Sequence, residues 1–390
     1  MTPPSNSVRF EVLAVSIVLF LNACAQTIPE PVQRPLDLVG DVPLVYSIQT
    51  PAQESLLEIG VQVFATQNEG DEEYKIGDWV FDEIIQKETQ FLPHLLKNTL
   101  VASNQWGAVR VIPQSDPSLD LIVTGEIVQS DGRTLQLRIQ AIDSSGREWL
   151  NQVYADQSTA QEYPESTRFT LDNSFDAANF VDPFQDIYNR IANDLLDVRS
   201  RLSEQSLAEL NLVTDMLYAK DLSPDTFGET LRENDEGLLT LTSLPARDDP
   251  MMARVADMKY RHHLFIDTVD EYYQTLYEDI QPAYVLWRRY SIDQLGEVET
   301  SRQEANQGGS RGFLSLSQRY DRFKWSKIFE REFSDLAAGF NNELAPAILE
   351  LNSQVHGLTG TMEQQYREWR GILRRLFELE NGEGANELTE

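Results

Sequence analysis

Residues 119–149, LDLIVTGEIVQSDGRTLQLRIQAIDSSGREW, decide the fold. Apolar side chains recur with a period of two on either side of Asp131-Gly132, and again up to Ser145-Gly146, after which the chain resumes as REWLNQVY. Alternation broken by glycine turns predicts a strand meander. Working upstream, GAVRVIP (107–113) reads as a strand, and LEIGVQVFAT (57–66) alternates at Ile59, Val61 and Val63, a further strand. Between them, WVFDEIIQKETQFLPHLLKNTLVAS (79–103) places Phe81, Ile84, Ile85, Phe91, Leu95, Leu96 and Leu100 at helical spacings. Pro93 predicts that this helix stops or bends before a second one begins. A helix followed by a meander implies a small sheet with one helical face.

Downstream the pattern changes. Residues 157–181 are polar and irregular, which marks a linker. Asp182-Pro183-Phe184-Gln185 then has the form of a helix start, with a capping aspartate and proline at the first position. Phe184, Ile187, Ile191, Leu195, Val198 and Leu202 follow at alternating threes and fours, and helical periodicity continues with breaks near LSPDTFG, LPARDDP, NQGGSRG and HGLTG. The expected fold class is α+β: a small mixed sheet with packed helices over residues 57–156, then a mostly α-helical bundle over 182–380 containing one long helix from about 251 to 300. The tail 381–390 is acidic and poor in apolar residues, a composition that predicts disorder.

At the other end, VLAVSIVLFL (12–21) is an apolar run too short to cross a hydrocarbon core of roughly 30 Å, but of the length of a signal-peptide core. Leu21-Asn22-Ala23-Cys24 follows and resembles the lipobox of bacterial lipoproteins, apart from the bulky Asn22. The resemblance implies a signal peptide over 1–23 and acylation of Cys24. Ala23-Cys24-Ala25 also satisfies the rule for ordinary signal peptidase, which would release a soluble protein. Cys24 is the only cysteine in the 390 residues, and an unpaired thiol in an oxidising compartment is best explained if chemistry consumes it. More than one acyl chain makes membrane attachment stable. Ala25 and Gln26 after the cysteine imply, by the same resemblance, outer-membrane delivery. Pro29, Pro31, Pro35 and Pro43 make residues 24–56 a semi-rigid tether in expectation.

A length of 390 residues predicts two domains. With 63 acidic residues against 32 Lys and Arg, the net charge of −31 disfavours nucleic acid and adsorption on anionic lipid by charge alone. Residues 57–156 resemble the periplasmic domain shared by curli-secretion-type lipoproteins, penicillin-binding-protein activators and the amino-terminal domain of TolB. The resemblance rests on LKNTLVASNQWGAVRVIP and on the opening stretch, with Asp120 to Gly125 and Asp143 to Gly146 as its turn motifs. It implies an envelope adaptor or scaffold.

Four stretches carry candidate chemistry. Gly308-Gly309-Ser310-Arg311-Gly312 satisfies G-x-S-x-G, but a polar helical run precedes it where a nucleophile elbow needs a strand. His263, Asp267, Asp270 and Glu271 fall at i, i+4, i+7 and i+8, one helix face able to hold a divalent metal or run acid/base chemistry, against an ordinary ion-paired face. Tyr284, Trp287 and Arg288, with Tyr366, Trp369 and Arg370, have the composition of a partner-binding hot spot and equally of a bundle core with snorkelling arginines. No cofactor motif is present in this reading. The expected function is a non-enzymatic adaptor on the periplasmic side of the outer membrane, bound through Cys24 and to an envelope protein. The alternatives are a peptidoglycan- or envelope-modifying enzyme with an acidic site in the helical region, or a carrier of an apolar ligand.

Overall fold

In the computed structural model, the residues described are 37–48, 51–52, 55–66, 82–167, 170–171, 176–246, 249–308, 324, 327, 358 and 360–380. The signal segment, Cys24, Ser310 and the tail 381–390 lie outside them.

The meander is as its pattern requires. β1 (Ile59–Gln62), β2 (Ala65–Thr66), β3 (Val109–Ile112), β4 (Leu121–Ser130), β5 (Thr134–Asp143) and β6 (Glu148–Gln157) form one mixed sheet in the order β3-β1-β4-β5-β6, with β2 beside β4. β1 runs parallel to β3 and β4, while β4-β5-β6 is antiparallel. Asp131 Oδ1 accepts from the amides of Arg133 and Thr134 and so ties the first turn. Gly132 there has φ +86°, and a Cβ on it would lie 2.7 Å from Cβ of Ser291. Asp143 does the same at the second turn, taking the amides of Ser145 and Arg147 on Oδ1 and the Trp149 indole on Oδ2 at 2.8 Å.

α1 (Asp82–Ala102) lies against β1 and β3 and runs through Pro93 without stopping. The expected break is absent for a specific reason. Proline has no N–H for the carbonyl four residues back, and that carbonyl, of Thr89, instead accepts the Phe64 amide at 2.8 Å. The loss inside the helix is made up from the strand beside it.

α2 (Gln185–Ser200) packs on α1 and β6, and Asp182 Oδ1 takes the Phe184 amide at its entry. α3 (Glu204–Leu222) is capped by Ser203, whose side chain accepts the Ser206 amide. A one-turn α4 (Pro224–Phe227) and the hairpin β7 (Leu231–Glu233) and β8 (Leu239–Leu241) lead to α5 (Pro250–Gly308), and α6 (Met362–Glu380) packs on α3 and α5.

The described residues from Asp37 onward form one compact unit. A single core runs from Leu57 and Val111 through Ile187 and Leu195 to Phe265, Trp287 and Phe377. Each fully buried aliphatic or aromatic side chain contributes about 1.5–3 kcal/mol, so a core continuous across residues 57–156 and 182–380 joins them. Within 157–181, Tyr163 packs with Val285 and Ile292 of α5, and Ala160 O accepts from Arg289.

The segment 37–48, expected as part of the tether, is docked. Val39 N–H donates to Ala155 O of β6 at 2.8 Å. A polar stripe on α2 then holds the extended chain. Asp186 Oδ1 takes the Val42 amide at 3.0 Å, Asn189 donates to Val42 O, and Asn193 both takes the Val45 amide and donates to Pro43 O. Ser47 N–H closes on Ser103 O at the end of α1. Extended chain has unpaired backbone groups, and asparagine satisfies both kinds with one side chain.

Candidate functional site

α5 brings its predicted acidic face to β3 and to the loop after it. Asp270 Oδ2 lies 2.5 Å from Lys97 Nζ of α1, and its Oδ1 takes the Val111 amide of β3 at 2.8 Å. Asp267 Oδ1 lies 2.5 Å from Nε of Arg110, also on β3. Arg110 Nη1 in turn meets Glu58 Oε2 at 3.0 Å. Burial works against the Arg110 charge, but Glu58 and Asp267 hold its pKa above the ordinary value. Glu271 is exposed to solvent. The carboxylates are therefore directed at Arg110, Lys97 and a strand amide, and they do not converge with His263 on one point. Among the described residues no group of three or more His, Cys, Asp or Glu is placed to hold a metal ion.

His263 has other neighbours. Its Nε2 lies 3.2 Å from Ser118 Oγ and its Nδ1 3.3 Å from Glu58 Oε2. Burial pushes its pKa down to about 4, with Glu58 opposing and Arg110 and Lys259 adding to the effect. Serine, histidine and carboxylate thus stand in the order of a hydrolase triad. The chemistry differs in one respect. Ser118 is 1% exposed, and its hydroxyl donates to Asp116 Oδ1 at 2.5 Å. An activated serine must give its proton to the imidazole and meet a substrate. Here the proton points at a carboxylate instead.

Asp116 is the centre of this buried group. Oδ1 also takes the Ser118 amide, while Oδ2 meets His262 Nε2 at 2.7 Å and takes the Tyr366 hydroxyl at 2.8 Å. Burial would raise its pKa, but His262, the Arg370 charge and Ser118 hold it well below the usual carboxylate range. Arg370 Nη2 pairs with Asp221 Oδ2 of α3 at 2.9 Å. The loop after β3, α3, α5 and α6 are thus tied through one carboxylate and its neighbours. Beside it, Asp120 takes the Glu58 amide and the Thr214 hydroxyl, and burial pushes it up to about 6.

The aromatic and arginine residues considered for partner binding are internal. Tyr284, Trp287, Arg288, Tyr366 and Trp369 are all buried, and Arg370 is half-buried against Asp221 and Asp116. Trp369 stacks on Phe265 with ring centres 5.0 Å apart. Arg288 lies over the Phe184, Tyr284 and Trp287 rings and pairs with Glu88 of α1. Of the two readings of these side chains, bundle core and partner-binding surface, their burial goes with the core, because each helix turns its aromatic seam inward.

Sequence reading missed Asp116, Ser118, Glu58 and Arg110. Asp116-Pro117-Ser118 had one legible signal, an aspartate two residues before a serine, whose carboxylate takes the later amide as an Asx-type turn does. The partners of Asp116, His262 and Tyr366, lie 146 and 250 residues away, beyond any local pattern.

No family model matches this chain, and no curated protein shows significant similarity to it.

Proposed function

We propose that this chain is a cell-envelope lipoprotein, anchored through acyl groups on Cys24 to the outer membrane and facing the periplasm, where it acts as a non-enzymatic adaptor or scaffold for an envelope protein complex. The observation that carries the non-enzymatic part is the engagement of its titratable cluster. Asp270 and Asp116 engage both carboxylate oxygens, and Ser118 its hydroxyl proton, with residues of the same chain, and Asp267 pairs one oxygen with Arg110. Such groups hold elements together, whereas a catalytic group keeps a position for substrate. The resemblance of residues 57–156 to adaptor and scaffold domains of the envelope, and of Leu21–Cys24 to a lipobox, supports the same reading.

The test is crosslinking in living cells of the wild type beside Cys24→Ser, with captured proteins and the N-terminal peptide identified by mass spectrometry. A diacylated or triacylated Cys24, and one protein captured with the wild type and lost with Cys24→Ser, is the expected result. An unmodified Cys24 sinks the anchor, and failure to capture any reproducible partner at native abundance sinks the adaptor.

A second reading, as a hydrolase, has the Ser118–His263–Glu58 alignment in its favour. It requires labelling of Ser118 by a fluorophosphonate, abolished in His263→Gln. Absence of labelling in the folded wild type removes it.

A further inference from the structure

The docked strap presents apolar side chains that the described residues leave exposed. Ile48 is 91% exposed, Tyr46 68% and Val45 50%. Exposed Val101 lies one turn before the point where Ser103 and Asn104 bind Ser47. Single exposed apolar residues are ordinary, but a group of four on one corner of a protein marks a contact. The fixing of the strap matters as much as the exposure. Asn193 and Ser103 hold the backbone on either side of Tyr46, so these side chains are presented and cannot turn into the core.

We propose that this corner, made by Val45, Tyr46, Ile48 and Val101, rests on the lipid surface to which the chain is anchored; the proposal depends on the reading of Cys24 as acylated. One observation favours a bilayer as the occupant, and a second fixes the kind of contact it makes. The first is chain length. Cys24 precedes Asp37 by 13 residues, which reach at most about 45 Å, and Ile48 follows Asp37 by 11, at most about 38 Å. The leash is long enough to bring the corner back to the membrane that holds it. The second is charge. Residues 37–48 contain Asp37 and Asp41 and no Lys or Arg, in a chain of net charge −31. An anionic surface offers them no attraction, so contact rests on apolar burial at the interface, with tyrosine and isoleucine entering the headgroup boundary. Binding of this kind is insensitive to salt and does not need anionic lipid.

The experiment uses the full-length protein purified with its own anchor and inserted into phosphatidylethanolamine/phosphatidylcholine vesicles. Acylation leaves no free thiol in the native chain, so Tyr46→Cys, Ile48→Cys and Leu379→Cys each give one site for an environment-sensitive fluorophore. Leu379 is an exposed side chain of α6 and serves as the reference. The expected result is that an aqueous collisional quencher loses at least fivefold in efficiency at positions 46 and 48 on vesicles relative to detergent solution. Position 379 is unchanged, and 0.5 M salt makes no difference. Equal quenching at all three positions, with acyl groups on Cys24 confirmed by mass, overturns the lipid contact while leaving the anchor intact. Protection at 46 and 48 that persists without vesicles and grows with protein concentration identifies a second copy as the occupant and also overturns it. An unacylated Cys24 removes the anchor and the contact together, and the mass spectrum alone reveals that case.

Discussion

Glu88 Oε1 lies 2.6 Å from Arg288 Nη2 although the two are 200 positions apart in sequence, and both side chains are buried. Ser130 and Tyr284 donate their hydroxyls to the same carboxylate oxygen. Among the described residues, Glu88 Oε2 and Arg288 Nη1 have no hydrogen-bond partner. The pair joins α1 to α5 but is incompletely satisfied, and removing one member leaves the other charge buried. Arg288→Met is expected to cost about 3–5 kcal/mol. Glu88→Leu combined with Arg288→Met is expected to cost less than Arg288→Met alone. Urea unfolding midpoints of the three proteins check this, and a double variant as damaged as the sum of its singles contradicts it.

The histidines give the protein an acid-labile window with a definite sign. Burial pushes His94 down to about 3, with Lys97 adding to the effect, and His263 down to about 4, against an ordinary 6.5. Between pH 6.5 and 4 the unfolded chain binds protons there that the native protein refuses, so stability falls as pH falls through that window. Asp120 works in reverse. Its pKa of about 6 means that the native protein takes up a proton before the unfolded chain does, which offsets part of the loss between pH 6 and 4. Asp116, held low, keeps its stabilising charge until the pH drops below the ordinary carboxylate range. His263→Gln is expected to flatten the fall and Asp120→Asn to steepen it, as measured by denaturant midpoints between pH 7 and 4.5.

Gly125 gives the Asp120–Gly125 motif, which lies along β4, a packing meaning. A Cβ at this position would lie 2.5 Å from the Phe64 ring. Gly125→Ala is expected to destabilise by about 1–3 kcal/mol through overpacking. In a Phe64→Leu background the same change is expected to be nearly neutral. Thermal melts of the four proteins of that cycle decide whether the ring is the cause.

Asn193 is expected to govern the strap more than the body. Asn193→Ala removes the acceptor of the Val45 amide and the donor to Pro43 O, a net loss of about 1 kcal/mol for each bond. Hydrogen exchange at Val45 should quicken at least tenfold. Amides of β5, in the middle of the sheet, should exchange at the wild-type rate, and equal acceleration at both would show that the strap and sheet open together.

What was legible in the sequence was local. Alternation and the Asp131 and Asp143 turns produce β4, β5 and β6, because period and turn chemistry act over a few residues. Pro93 misled because its cost is met by Phe64, a residue outside the helix. Asp186, Asn189 and Asn193 lie between the apolar positions of α2 with no local signal of their role, and only the folded chain shows the backbone they hold. The α5 face of His263, Asp267 and Asp270 was visible as a cluster, but its counter-charges on Arg110 and Lys97 come from distant sequence. The aromatic seams of α5 and α6 could be read as core or as contact surface, since hot spots and cores draw on the same residue types.

The strap also determines how force enters the molecule. Tension on the chain ahead of Asp37 meets the Val39–Ala155 bond first, and Asp186, Asn189 and Asn193 stand behind it in series along α2. A pull along the strap shears these bonds together, so they share the load. A pull away from α2 peels them one at a time, each yielding alone. Direction therefore decides mechanical strength: a body dragged along the line of its strap holds, and one lifted off it gives up the segment 37–48 before its core is strained.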